Sequence, residues 1–171
     1  MGNHALSLLL LEANLLPWSR HGVLELPAGY ETRTSRLEDT EELGLLYFAS
    51  YDRDVGCETE GEAIADIALA FAGEYGELWL DASPVITRDG VIVAAVQSVF
   101  SAPWPDAPPG PFITEVFTDR GHRRIGLART MLLSVMATMR LAGNESVSLR
   151  VRDSNSAGRL LYASLGFRQT Q

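Results

Sequence analysis

Asp119-Arg120-Gly121-His122-Arg123-Arg124-Ile125-Gly126-Leu127-Ala128 joins a β-rich run, Phe112 to Thr118, to an amphipathic helical pattern, Leu127 to Leu141. A turn from strand into helix leaves a row of backbone N–H groups at the helix start, where the dipole also favours negative charge. Gly126 and Ala128 are small enough for an anion to approach the main chain. Arg123, Arg124 and Arg129 add positive charge. Two plainer readings compete: a surface loop with solvated arginines, and a basic patch for nucleic acid. Neither explains the small residues at 126 and 128, and no aromatic-basic interleaving surrounds the loop.

Outward from this loop, the pattern alternates strands and helices. Tyr30 to Leu37 reads as a strand. Glu38 to Tyr51 reads as a helix with Leu43, Leu46 and Tyr47 on one face. A second helix spans Thr59 to Ala72, opened by the capping box Thr59 and Glu62, with Ile64, Ala68 and Phe71 as its apolar stripe. Pro84 to Arg88 and Val91 to Phe100 form a hairpin turned at Asp89-Gly90. The proline-rich stretch Ser101 to Pro111 is a loop. In the helix after the anion loop, Leu127, Met131, Val135 and Met139 share a face, and Gly143 stops it. A strand, Ser146 to Val151, a helix, Asn155 to Leu165, and a short strand from Phe167 complete the order. It predicts a mixed sheet with helices packed on it, not a doubly wound sheet. Residues 1–28 read as an extension before a domain over 29–171, and the apolar run Leu6 to Leu16 fits helix or strand equally by period.

Charge divides the chain. Residues 1–118 carry 19 acidic and 5 basic residues, and residues 119–171 carry 3 and 9, within a net charge of −8. The basic part suits a polyanion and the acidic part a cation, unless the asymmetry is compositional drift. All 14 basic residues are arginine, which excludes a Schiff-base or P-loop lysine. The single Cys57 excludes an internal disulfide framework. No apolar run has the length of a membrane span, and the first one lacks the flanks of a signal peptide. A cytoplasmic protein without a membrane or nucleic-acid partner is the expectation.

Arg123-Arg124-Ile125-Gly126-Leu127-Ala128 fits Q/R-x-x-G-x-G/A, the pyrophosphate motif of the GNAT (GCN5-related) acetyl-coenzyme A-dependent N-acetyltransferases, which this chain resembles. A second block agrees: Asn155, Leu161, Tyr162, Gly166 and Phe167 stand at the spacings of N-x-x-A-x-x-L-Y-x-x-x-G-F, with Gly158 where alanine is usual. Arg124 replaces a frequent glycine and His122 a frequent aromatic. The resemblance implies an α/β fold of α+β type, with a mixed, mostly antiparallel sheet splayed between its fourth and fifth strands and helices on both faces. Family members mostly continue with a further strand after the one at Phe167. The expectation is that residues 1–28, or a second subunit in a homodimer, cover that gap.

The resemblance also implies acetyl-coenzyme A as co-substrate, lying along Val116, Phe117 and Thr118 with its pyrophosphate on Arg123, Arg124, Ile125, Gly126, Leu127 and Ala128. Acyl transfer to an amine requires an oriented thioester, a stabilised oxyanion, a deprotonated amine and a protonated leaving thiolate. A main-chain N–H near Val116 suits the oxyanion. Glu115 is the candidate base; a solvent-facing strand residue is the other reading. Tyr162 is the candidate acid, with a phenol pKa near that of an alkyl thiol; a packing tyrosine is the other. Asn155 either bonds the pantetheine or caps its helix. The three histidines lack metal-ligand spacing, so no metal is expected. Cys57, among acidic neighbours, is disfavoured as a nucleophile, which leaves direct attack by the amine.

Tyr51, Asp52, Asp54, Glu58, Glu60 and Glu62 fall between the first two helices, where the family's acceptor site commonly lies. They suit a small cationic amine or basic peptide, or simply a solvated helix start. The rival function is a module that binds acyl-coenzyme A without transferring its acyl group.

Overall fold

Asp89 and Gly90 both adopt positive φ, 52° and 83°, the geometry of the tight hairpin that their sequence predicts. They join β3 (Pro84–Arg88) to β4 (Val91–Val99), neighbours in the chain's one sheet among the described residues. The computed structural model describes residues 7–16, 25–51 and 56–170. The other elements are β1 (Leu8–Asn14), β2 (Tyr30–Thr34), α1 (Thr40–Ser50), α2 (Glu60–Ala72), β5 (Phe112–Thr118), α3 (Leu127–Leu141), β6 (Ser146–Arg152), α4 (Ser156–Ser164) and β7 (Arg168–Gln169). Short 3-10 turns lie at Leu37–Asp39, Leu80–Ala82 and Arg120–His122.

The strand order is β2-β3-β4-β5-β6-β1-β7. All neighbours run antiparallel except β5 and β6. Those two pair only at Phe112 with Ser148 and Ile113 with Leu149, then diverge. Counted from Tyr30 they are the fourth and fifth strands, so the sheet splays where the resemblance implies.

Each face of the sheet carries helices. Leu43 and Leu46 of α1 and Ile67 of α2 bury against Val85, Ile92, Ala95 and Phe117. On the opposite face, Met131, Leu132, Val135, Met136 and Met139 of α3 join Val147, Leu149 and Val151, with Tyr162 of α4. The inward stripe of α2 differs from the one expected. Ala63, Ile67 and Ala70 are buried and Phe71 packs at the edge of the same core, whereas Ala68 is exposed. Ile64 is diverted toward α1, where a Cβ on Gly44 would stand 2.5 Å from its Cα. The close helix crossing therefore rotates α2 by one position relative to its apolar pattern.

The apolar run near the start of the chain is a strand. Leu8–Asn14 pairs along its whole length with β6 and, at Leu11 and Glu12, with β7. Leu9, Leu11 and Ala13 face the α3–α4 core. Two open strand edges offered hydrogen bonds that a helix could not have used, which decides what period alone left open. Of residues 1–28, positions 1–6 and 17–24 lie outside the described residues.

Candidate functional site

The loop between β5 and α3 is held from below by its own arginines. Asp119 caps the turn by accepting from the Gly121 N–H at 2.8 Å. Arg120 donates to the Ala49 and Tyr51 carbonyls at the end of α1. Arg123 donates to Thr118 O at 3.1 Å and Ser50 O at 2.5 Å. These guanidinium groups satisfy orphan helix carbonyls and suit the negative end of the dipole. The Arg123 side chain is thus engaged with protein, and toward an anion it offers its backbone. Arg129 reaches across to Ser164 at 2.8 Å. Among the described residues Arg124 makes no hydrogen bond or ion pair, so its guanidinium is the one at this loop available to a phosphate.

Arg124 has φ 65° and Gly126 φ 91°. The first value explains why glycine suits position 124; an arginine there costs about 1 kcal/mol. Gly126 begins α3 with no side-chain cap, and the first intrahelical bond runs from Thr130 N to Gly126 O. The N–H groups of Leu127, Ala128 and Arg129 consequently have no helical acceptor. A Cβ at Gly126 would meet nothing within 4 Å. Ile125 is exposed, while the Leu127 side chain is buried in the core. Concave, unpaired main-chain donors of this kind bind anions.

The edge of β5 that faces the splay has unused backbone. Asp119 N donates to Val93 O. By antiparallel alternation Phe117 and Glu115 also turn their main chains to β4, and Val116 and Thr118 turn theirs away. The Val116 and Thr118 carbonyls indeed accept from side chains, those of Tyr51 and Arg123. Beyond Ile113 no β6 residue pairs with them. Phe117 buries its ring in the α1–α2 core. Val116 and Thr118 are therefore the two residues of this stretch whose main chain can bind an extended ligand.

Glu115 sits beside this edge. A bulge at Thr114 brings Glu115 directly opposite Gln97, and Thr114 Oγ1 donates to Gln97 O at 3.2 Å. Tyr51 donates to Glu115 Oε2 at 2.9 Å. Glu115 keeps a partial opening to solvent, yet protein surrounds it closely enough that burial raises its pKa to about 7. The Tyr51 hydrogen bond opposes that rise and the charge of Asp66 adds to it. Tyr162 is 7% exposed, meets Phe167 edge to face at 5.8 Å, and finds no hydroxyl partner among the described residues. Burial, then the charge of Glu115, raises its pKa above the usual phenol value. The near match to an alkyl thiol expected for Tyr162 is lost on folding. Asn155 accepts from Gly158 N at 2.8 Å and so caps α4, leaving its Nδ2 end unpaired. A Cβ at Gly158 would stand 2.7 Å from that end, which accounts for glycine at this position.

On the α1–α2 face of the sheet, several residues that the sequence did not mark as a site come together. Tyr47 packs edge to face on Tyr51 and Phe117. Tyr75 donates to Asp66 of α2; this bond, then burial, pushes the phenol up to about 12. Burial, then the charges of Asp66, Glu62 and Glu115, raises the pKa of the Cys57 thiol. Asp66, Tyr75 and Tyr47 form no motif in sequence; only the fold collects them. Asp52 and Asp54 lie outside the described residues. Glu58, Glu60 and Glu62 are exposed at the start of α2, and Glu62 completes the capping box with Thr59. No group of three His, Cys, Asp or Glu among the described residues could hold a metal ion.

The arrangement fits an acyl-coenzyme A: unpaired N–H groups for a pyrophosphate, an unpaired strand edge for an extended chain, and a carboxylate at its end. The acetyltransferase (GNAT) family model matches residues 32–167, and the chain belongs to that family. Solved structures share the fold. The protein PH1933 from Pyrococcus horikoshii OT3 superposes with a TM-score of 0.69 at 17% identity, over 83% of this chain and 90% of that one. A PaiA N-acetyltransferase from Thermoplasma acidophilum in complex with coenzyme A gives 0.59 at 15%, over 81% and 89%. A GCN5-related N-acetyltransferase from Sphaerobacter thermophilus gives 0.64 at 17%, over 95% of this chain and 48% of that longer one. No curated protein matches at the level of sequence.

Proposed function

We propose that this protein is an N-acetyltransferase in which a primary amine attacks acetyl-coenzyme A directly. The observation that carries the reading is Glu115: a carboxyl raised to about 7 by burial, one residue from the Val116 N–H that faces away from β4. A base with that pKa is half ionised near neutrality and still strong enough to accept an ammonium proton. Acetyl-coenzyme A, when bound, supplies the acetyl group as a thioester. The main chains of Val116 and Thr118 orient its arm, and the Val116 N–H polarises the carbonyl. The N–H groups after Gly126, with Arg124, take the pyrophosphate. Tyr162, protonated at every physiological pH, donates a hydrogen bond to the departing sulfur.

Direct attack is supported by Cys57, whose thiol is held protonated by burial and carboxylates. A cationic acceptor is supported by Asp66 and Glu115 with the rings of Tyr47, Tyr51 and Tyr75 beside them. The aminoglycoside N-acetyltransferase that shares the fold, with a TM-score of 0.63 at 16% identity, is compatible with such an acceptor. The test uses acetyl-coenzyme A with spermidine, kanamycin and a lysine-rich peptide, following thiol release and acetylated product by mass spectrometry. Thiol release with at least one amine, abolished in Glu115→Gln, is expected. Stabilisation by acetyl-coenzyme A without transfer to any amine would instead identify a non-catalytic binder.

A further inference from the structure

Val147, Leu149 and Val151 of β6 face the α3–α4 core, so Ser148 and Arg150 face the opposite side of the sheet, the side that carries α1 and α2. Glu115 opens to that same side, where Tyr51 at the end of α1 bonds it. Past the last pair between β5 and β6, the next residues on this face are Glu115, beyond the bulge, and Arg150. They stand on opposite lips of the splay, and no ion pair joins them. Helices α1 and α2 pack on β3, β4 and β5. What lies beside Arg150 is the proline-rich loop Ser101 to Pro111. Its Trp104 meets Phe112 edge to face at 5.3 Å, and the Arg150 guanidinium lies 4.6 Å over the Trp104 ring. Stacking fixes the plane of the guanidinium and turns its N–H edge outward. Only Nη2 is used: it donates to Asp106, whose side chain is 70% exposed. Nε and Nη1 have no partner among the described residues, and neither is sealed from solvent. A single bond to an exposed loop carboxylate holds little. A fixed guanidinium fork with open donors suits a carboxylate held by two bonds.

We propose that Arg150, presented by Trp104, binds a carboxylate of the acceptor, displacing Asp106, and that the acceptor is a basic amino acid acetylated on its α-nitrogen. The order of charges across the face carries the inference: Arg150 on β6, Glu115 on β5, then Asp66 on α2, whose charge reaches Glu115. A basic amino acid carries carboxylate, α-amine and side-chain cation in that same order. Its α-ammonium stands at Glu115 when its carboxylate is on Arg150 and its side-chain cation points to Asp66. In the transfer, the nitrogen–carbon bond forms and the carbon–sulfur bond breaks. Of the two protons the ammonium loses, Glu115 takes one and the leaving sulfur ends with the other. The inference rests on the acyl-transfer reading of the cleft.

Amino acids and the amines left by removal of their carboxyl group give the test: arginine against agmatine, lysine against cadaverine, ornithine against putrescine, each with acetyl-coenzyme A and thiol release as readout. Wild-type protein should favour at least one amino acid over its amine by on the order of 10–100-fold in kcat/KM. Tandem mass spectrometry should place the acetyl group of that product on the α-nitrogen. Arg150→Gln should collapse the ratio by raising KM for the amino acid, at an unchanged KM for acetyl-coenzyme A. Arg150→Lys, which keeps the charge and loses the fork, should fall between the two. Asp106→Asn, which removes the displaced partner, should lower KM for the amino acid. If Arg150 and Asp106 merely latch the loop, Asp106→Asn raises that KM and Arg150→Gln loses equally on amino acid and amine; either result overturns the proposal. Wild-type preference for the amines, or acetylation of side-chain nitrogen alone, overturns it even if no variant folds, and leaves acetyl transfer standing. Transfer to none of the six compounds overturns it as well, and the acetyltransferase reading then stands or falls on spermidine, kanamycin and the lysine-rich peptide.

Discussion

The two walls of the cleft are built from different materials. The wall made by β5, the following loop and α3 presents backbone: the main chains of Val116 and Thr118, and the unpaired N–H groups after Gly126. The wall made by α1, α2, the residues that follow them and β5 presents side chains: Tyr47, Tyr51, Asp66, Tyr75 and Glu115. Backbone recognition depends on conformation, so it tolerates many residues and forbids few. Side-chain recognition depends on identity and shifts with each substitution. A shared donor and a private acceptor would divide in this way.

The largest effect expected is on the side-chain wall. Glu115→Gln should reduce turnover by at least about 100-fold while the thermal shift with acetyl-coenzyme A persists. Loss of the thermal shift as well would place Glu115 in donor binding and blur the distinction between the walls. Next, Gly126→Val tests the backbone wall. Its φ of 91° is hostile to a β-branched residue, and the side chain would stand where an anion approaches. A fall of about tenfold or more in coenzyme A affinity is expected by calorimetry, together with a lower melting temperature. A weaker effect on pH dependence follows from Tyr51. The proposed base role requires the Glu115 carboxylate, so kcat/KM should rise with pH through about 7. Tyr51→Phe removes a hydrogen bond that favours that carboxylate, and the rise should shift about one pH unit higher. A shift to lower pH would contradict the assignment. The smallest contrast sets two adjacent arginines against each other. Arg124→Ala should weaken coenzyme A binding a few-fold without changing stability. Arg123→Ala should cost about 1 kcal/mol of stability through its lost hydrogen bonds to Thr118 and Ser50, which denaturant melts will read.

The backbone wall was legible in the sequence because it is contiguous. Arg123 to Ala128 is a single stretch, and small residues at a helix start have few other uses. Even there, side-chain direction was hidden: Arg123 and Arg124 are equivalent as letters, and only the end of α1 separates them. The sheet and the helix order were legible through period, capping box and Asp-Gly turn. The stripe on α2 was misread because contact with Gly44 overrides the apolar pattern. The side-chain wall was mostly illegible. Glu115 was reached only through the resemblance. Asp66 and Tyr75, nine residues apart, meet only because Gly73 turns the chain in a left-handed conformation after α2.

Strand β1 gives this protein an unusual order of assembly. Its partners, Ser146–Arg152 and Arg168–Gln169, lie over a hundred residues later in the chain. During synthesis Leu8–Asn14 leaves the ribosome well over a hundred residues before the strands that flank it, with an apolar face and two unpaired edges until they follow. Long-range pairing of that kind slows folding and prolongs exposure of a sticky segment. A chaperone that holds short leucine-rich segments would find its target here.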